Sequence, residues 1–274
     1  MELNWLEYLI YGLISGFGEF FPVSSLAHQT IFLKLLGIND HPWLRFSAHV
    51  GALLAVLIVF TPTLLRLRRE RRIAAIPKKR RRRQPDFATL MESRVFRMTS
   101  ISMMVLYFGY PLVAGVEQRL WILAALLGIN GVVLYIPQYL PRSNKTAQSL
   151  SSLDTMLIGL AAGSGMIPGI SRVGAAISIG QIRGADRHYA ADLALMLSIP
   201  ALLLMSLLQL FGAFAVPALG AVLILPCLLV TITSFAASYL AIYLMCFLAV
   251  RVGYEVFAYY SWGVALFTLI LYLI

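Results

Sequence analysis

GLISGFGEFFPVSSLAHQ, residues 12–29, poses the question on which the fold of this chain turns. A carboxylate at Glu19, hydroxyls at Ser24 and Ser25 and an imidazole at His28 sit in an otherwise apolar run that contains Gly16, Gly18 and Pro22. The arms on either side, roughly 3–17 and 23–36, are each short for a hydrocarbon layer of about 30 Å. Glycine and proline between them interrupt helix. Backbone freed inside a bilayer is tolerated only where protein or a water-filled cavity supplies hydrogen-bond partners. Residues 3–36 are therefore expected to form a broken, re-entrant helical hairpin lining a cavity.

The rest of the chain asks for the same solvent. Of its 274 residues 60% are hydrophobic and 12% charged, and the mean hydropathy is +0.82, far more apolar than a usual soluble domain. Apolar runs suited to a bilayer recur at 46–60, 120–136, 190–214 and 220–250, too often for one anchor plus a soluble domain. An all-α integral membrane bundle is expected, with the function carried by the bundle itself. The N-terminal MELNWLEYLI has acidic residues where a cleaved signal would be positive, so the first segment is expected to stay.

The net charge of +10 is concentrated, because half of the 22 Lys and Arg lie between Arg66 and Arg83, directly after a spanning run. The positive-inside rule places such a stretch in the cytoplasm. Anionic membrane lipids are its expected contact, and no nucleic-acid partner is expected. Cys227 and Cys246 lie in apolar runs without a spacing pattern and read as small core residues.

With a basic cytoplasmic loop over 66–94, the runs 101–116 and 120–136 go out and back across a turn at 117–119. Arg142, Lys145, Arg183, Arg187 and Arg251 then share the cytoplasmic side, provided that 153–182 enters and leaves by one face. Trp5, Trp43 and Trp121 would lie near the outer interface, where indoles prefer to sit. The expected organisation is a single membrane domain, 1–274. It comprises repeat one at about 1–65, the basic loop, linking helices at about 95–140, repeat two at about 150–215, and C-terminal helices at about 216–274.

The repeats are visible in the sequence. GLISGFGEFFPVSS and GLAAGSGMIPGIS align Gly12, Leu13, Gly16 and Gly18 with Gly159, Leu160, Gly163 and Gly165. After a one-residue deletion, Pro22 and Ser25 fall on Pro168 and Ser171. The first hairpin enters from outside and the second from inside, so the halves are expected to be inverted-topology repeats whose broken segments meet near the midplane.

A carboxylate inside a membrane is costly unless paired or hydrated, so Glu19 points to function. If helix resumes after Pro22, Ser24 and His28 share a face, and Ser25 neighbours His28. Hydroxyl, imidazole and carboxylate together are the set that activates a nucleophile or moves a proton. In PGISRVG, residues 168–174, Arg172 needs an anion, either Glu19 or a bound phosphate. Gly169 and Gly174 beside it let backbone N–H groups approach an oxyanion, and a resumed helix points its positive end there. A carboxylate able to hold a divalent cation, a hydroxyl with imidazole and a guanidinium make a phosphate-ester or diphosphate site. The plainer alternative is a Glu19 to Arg172 ion pair that only locks the hairpins.

At these residues the chain resembles the undecaprenyl-diphosphate phosphatase family, also called the bacitracin-resistance family. That family carries (E/Q)-x-x-x-E-F-x-P-V-S-S-x-x-H and P-G-x-S-R-S-x-x-T, which read here SGFGEFFPVSSLAH and PGISRVGAA. FSAHVGALLAVLIVF from Phe46 looks like the family's next segment, so the resemblance covers nearly the whole chain. It implies an inverted-repeat bundle in the bacterial plasma membrane with an active site opening outward. The implied reaction removes the terminal phosphate of undecaprenyl diphosphate, a C55 lipid, with a divalent cation (Mg²⁺ or Ca²⁺), and recycles the carrier for cell-wall synthesis. Carried over by position, Glu19 would hold metal or assist proton transfer. Ser24 or Ser25 would attack or position water, His28 would act as acid/base, and Arg172 would bind diphosphate with support from Ser171.

The departures fall at three polar positions. Ser15 stands where the family has its first acidic or amide residue, Val173 replaces the serine after the arginine, and Ala176 replaces the threonine. Ser15 through water, Ser164, or His49 on the next helix are the groups able to compensate. A transporter or flippase of the lipid phosphate on the same fold is the competing reading, because paired broken helices also build alternating-access sites. The sequence leaves a homodimer open.

Overall fold

The computed structural model describes residues 3–38, 41–113, 115–141, 143–214, 224–251 and 253–274. In chain order its helices are α1 (Trp5–Phe20), α2 (Ser25–Leu35), α3 (Pro42–Ala75), α4 (Phe87–Tyr107), α5 (Tyr110–Val113) and α6 (Leu120–Tyr135). They continue as α7 (Ser152–Gly163), α8 (Arg172–Ile182), α9 (Arg187–Phe214), α10 (Ile224–Arg251) and α11 (Glu255–Leu273). Among the described residues there is no strand, only one isolated parallel bridge between Lys145 and Ala185. Five stretches are long and apolar enough to cross a membrane: Pro42–Ala75, Leu120–Tyr139, Arg187–Phe214, Ile224–Leu248 and Glu255–Leu273. Phe87–Tyr107 with Tyr110–Gln118, bent by 53°, can make a sixth. The chain thus forms an all-α polytopic bundle. Arg142 and part of the run 220–250 lie outside the described residues.

Local chemistry sets the helix ends that matter for the site. Asn4 and Glu7 close a capping box at the start of α1, and Ser151 and Asp154 do the same for α7. Phe21 leaves helix at φ −80 and ψ 150, the extended conformation that a following proline enforces. Helix resumes at Ser25. Gly16 and Gly18, expected to interrupt helix, instead lie inside α1. Their work is close approach, since a Cβ at Gly16 would come 2.5 Å from the carbonyl oxygen of Ser234 on α10, and one at Gly18 2.8 Å from Cα of Ser25.

The basic segment expected as a loop over 66–94 is helical at both ends, because α3 runs on to Ala75 and α4 starts at Phe87. Arginine is a good helix former, and buried Glu70 anchors the return: both its oxygens accept from Arg83, and Asp86 N donates to Oε2 at 3.0 Å. Asp86 in turn caps α4 through the amide of Thr89 at 3.1 Å.

Two helix–break–helix pairs organise the interior. α1 and α2 are anchored by Leu3, Tyr8 and Leu33, which cluster with Leu44 at the start of α3 and Val230 near the start of α10. α7 starts at the opposite end, where Arg94 near the start of α4 donates to Ser152 at 2.8 Å. Trp5, Trp43 and Trp121 open α1, α3 and α6 at the end away from the basic segment. There Arg45 donates to Glu117, just before α6, at 3.2 Å. α9 is the central helix, with 61% of its most apolar stretch buried against 17% for α11. Its Leu195, Leu197 and Leu202 pack with Phe20, Met103, Ile158 and Ile177 in the main core, directly behind the two breaks.

Candidate active site

The breaks meet. Gly169 N donates to Ser24 Oγ at 3.0 Å, and Arg172, the first residue of α8, reaches Glu19 in the last turn of α1. Arg172 Nη2 donates to Glu19 Oε2 at 2.9 Å, to the Glu19 carbonyl at 3.3 Å and to Ser198 Oγ on α9 at 3.2 Å. The other carboxylate oxygen, Oε1, faces His49 Nε2 on α3 at 3.6 Å. Glu19 and Arg172 are each 8% exposed and His49 2%. A buried carboxylate therefore sits between a guanidinium and an imidazole, each from a different helix.

These groups border a cavity of about 30 Å³ lined by Glu19, Ser24, His49, Tyr107, Ser171 and Arg172 among others, room for a water or two. The helix starts of α2 and α8 lie on it, and both present the positive ends of their dipoles. No side chain caps α2, which leaves its first amides open. An anion with several acceptor oxygens is the ligand such a surface selects.

Ser24 has φ +67, the one positive value among the described non-glycine residues. Holding such a conformation costs roughly 1–3 kcal/mol and is characteristic of functional sites. With Gly169 N donating to its oxygen, the Ser24 hydroxyl proton is left for the cavity. Ser25 also borders the cavity, but its hydroxyl donates to the Ser15 carbonyl at 3.2 Å and accepts from Gln29 Nε2 at 2.9 Å. The Ser15 hydroxyl turns back to the Tyr11 carbonyl at 2.7 Å, and Ser15 does not line the cavity. Its contact with the site runs through Ser25.

The structure does not bring His28 to Glu19. Its Nδ1 lies 2.9 Å from the Ser24 carbonyl oxygen, and its Nε2 lies 2.8 Å from the Tyr260 hydroxyl, with the two rings stacked. The expected shared face of Ser24 and His28 exists, but the imidazole meets the carbonyl and not the hydroxyl. Ser164 likewise donates to its own helix, at the Ala161 carbonyl.

Ser171 caps α8 through Gly174 N at 3.1 Å and donates to the Phe21 carbonyl at 3.4 Å. Gly169 takes φ +98, where L side chains are strained. A Cβ at Gly174 would come 2.9 Å from that of Pro22, so this glycine lets the tips touch. Val173 and Ala176 are buried in the main core.

Three contributors were not singled out from the sequence: Asn130, Tyr107 and Ser198. Asn130 is fully buried on α6. Its Oδ1 accepts from Ser171 N at 2.9 Å, while its Nδ2 donates to the Pro22 carbonyl at 3.2 Å and to Ser261 Oγ at 3.0 Å. One amide thus joins both breaks to α11. The signal was present in LWILAALLGINGVVLY, where Asn130 is the only amide. His49, in FSAHVGALLAV, was legible as a compensating group, and it is the imidazole that reaches Glu19.

Glu19 is the single carboxylate on the cavity. Among the described residues no group of three or more His, Cys, Asp and Glu side chains is placed to hold a metal ion. The donor set suits a hard cation bound through one carboxylate and through oxygens brought by a ligand, as Mg²⁺ often is, and not one held in a protein cage.

A family model described as "Bacitracin resistance protein BacA" matches residues 8–267. A Nocardioides sp. protein named undecaprenyl-diphosphatase is 32% identical over 207 residues, 73% of each chain. One of the same name from Desulfatibacillum aliphaticivorans is 31% identical over 220 residues, 78% of this chain and 80% of its own. Another, from Paenarthrobacter aurescens, is 29% identical over 274 residues, 98% of each.

Proposed function

This chain belongs to the bacitracin resistance protein BacA family, and from that premise we propose that it hydrolyses undecaprenyl diphosphate to undecaprenyl phosphate and inorganic phosphate. It is a multi-pass membrane protein. The observation that carries the proposal is the meeting of Arg172, Glu19 and Ser24 from two separate helix breaks at one cavity with two helix starts.

Arg172 at the start of α8 and the open first-turn amides of α2 bind the diphosphate oxygens. Cleavage then transfers the terminal phosphoryl group to water, or first to the Ser24 oxygen as a phosphoserine that water hydrolyses to inorganic phosphate, and the bridging oxygen leaves with undecaprenyl phosphate. Glu19 accepts the proton of that attacking group or orients it through Oε1, which Arg172 leaves open. Ser25, Ser171 and Asn130 position the tips, and His28 holds the Ser24 backbone from the far side. Ser15 supports Ser25 through its carbonyl. Glu19 is the residue that would hold a divalent cation (Mg²⁺ or Ca²⁺), which when bound would supply charge neutralisation for the leaving phosphate.

The two hairpins act as inverted repeats re-entering from opposite faces of a bacterial plasma membrane. The basic segment faces the cytoplasm against anionic lipids, and the site opens outward. Phosphate release from undecaprenyl diphosphate by purified protein, with Mg²⁺ or Ca²⁺ against chelator and beside Glu19→Gln, tests the proposal. Cation-dependent release, cut by about 100-fold or more in the variant, is expected. Equal release by both proteins, or lipid binding without release, would reject it.

A further inference from the structure

At the end of the bundle that carries the basic segment, a second and larger cavity, of about 610 Å³, opens between the ends of α6, α8 and α10 and the starts of α9 and α11. It shares no lining residue with the cavity at Glu19 and has the volume of a small-molecule site. Two guanidinium groups border it, Arg187 at the start of α9 and Arg251 at the end of α10. Arg187 is held over the ring of buried Tyr254 at 4.9 Å, which fixes where its charge sits. Gln181, also on the wall, has a buried amide nitrogen with no acceptor among the described residues.

One of the two acids on this wall is held as a helix cap. Asp186 Oδ1 accepts from the amides of His188 at 2.9 Å and Tyr189 at 3.1 Å, capping α9. The Glu255 carboxylate folds back over Gly253, in the space a side chain there would fill. The start of α11 has no side-chain cap, so open first-turn amides add donors to those of Gln181 and Arg251. Two guanidinium charges and the Gln181 amide, set against Glu255 as the one carboxylate not engaged in capping, favour an anion rich in oxygen. Leu140, on the same wall, is 36% exposed on the outer surface of the bundle, so the cavity adjoins the region where lipid head groups lie.

We propose that this cavity binds a phosphate-bearing group, as the head of a membrane lipid or as free phosphate, at a site separate from the one at Glu19. The proposal stands whether or not the Glu19 site turns over. Native mass spectrometry of the full-length protein tests it, with phosphatidylglycerol, a phosphate-free galactosyl diacylglycerol and inorganic phosphate as probes. The parent protein should retain phosphatidylglycerol in preference to the galactolipid, and Arg251→Gln should weaken that retention about tenfold, as for the loss of one charge-assisted contact.

Arg187→Gln should do at least as much, and because Arg187 packs on Tyr254, the exposed Arg251 provides the variant that spares the fold. Glu19→Gln should retain lipid as the parent does, which separates this site from the catalytic one. Binding of inorganic phosphate that is lost in both arginine variants, without preference between the lipids, would support the site and assign it to the soluble anion. Equal retention of every probe by the parent and both arginine variants would overturn it.

Discussion

Arg172 Nη2 stands 2.9 Å from Glu19 Oε2 although 153 residues separate them in sequence, and neither side chain has appreciable contact with the surroundings of the bundle. Removing one partner of such a pair strands the other as a bare charge, a loss of about 3–5 kcal/mol in comparable buried pairs. Arg172→Ala is therefore expected to lower thermal stability in detergent as well as abolish phosphate release. The double variant Glu19→Gln/Arg172→Gln should be more stable than Arg172→Gln alone and equally inactive. If Arg172→Gln unfolds at the parental temperature, the ion pair is not holding the hairpins together.

Asn130 predicts a separable effect. Asn130→Leu leaves the Ser171 amide and the Pro22 carbonyl without their partner, at about 1–3 kcal/mol for each buried group. Asn130→Asp keeps an acceptor for the Ser171 amide and loses only the donors. Activity and melting temperature are expected in the order parent, Asp, Leu, measured by phosphate release and circular dichroism. An Asp variant no better than Leu would place the importance of Asn130 in its contacts with Pro22 and Ser261.

Ser24 and Ser25 should respond differently. Ser24→Gly relieves the positive-φ backbone, a gain of about 1 kcal/mol or more, which offsets the lost contact from Gly169. Its melting temperature should stay near the parental value while turnover falls by about 100-fold or more, the scale of removing an attacking or proton-handling group. Ser25→Ala, whose hydroxyl is already committed to α1 and Gln29, should lose less activity and more stability. The opposite pattern would make Ser25 the working hydroxyl.

The two imidazoles give a fourth comparison. His49→Gln alters the face of Glu19 directly and should reduce kcat by more than tenfold, a typical share for a group acting on the reacting centre. His28→Gln and Tyr260→Phe disturb one shared contact and should produce effects of similar size to each other, smaller than that of His49→Gln. Kinetics of the three variants at saturating lipid decide the ranking.

Much of this was readable in the chain. The break at Pro22 follows from what proline does to Phe21, and the alignment of Pro22 with Pro168 marked the two segments whose tips now touch. Glu19 and Arg172 were legible because charge is rare in such a composition. The glycines were misjudged because a helical glycine that ends a helix and one that admits a neighbouring backbone look alike until Ser234 is known to lie against Gly16. His28 drew attention through its spacing from Ser24. Periodicity reports which residues share a face but not which helix packs there, and α11 covers that face while α3 brings His49 to Glu19. Asn130 lay outside both motifs, and its importance comes entirely from three partners distant in sequence.

The cavity between the hairpin tips is crossed by two bonds, from Gly169 to Ser24 and from Arg172 to Glu19, and a phosphate group seated there meets the same donors. An entering head group competes for those donors, which parts Ser24 from Gly169 and loosens the grip of Arg172 on Glu19. The contacts that hold the tips together are the same donors that the phosphate would engage, so the ligand replaces each bond it breaks. The resting site works as a clasp closed on itself, its donors kept aligned by an internal surrogate until the anion takes the surrogate's place.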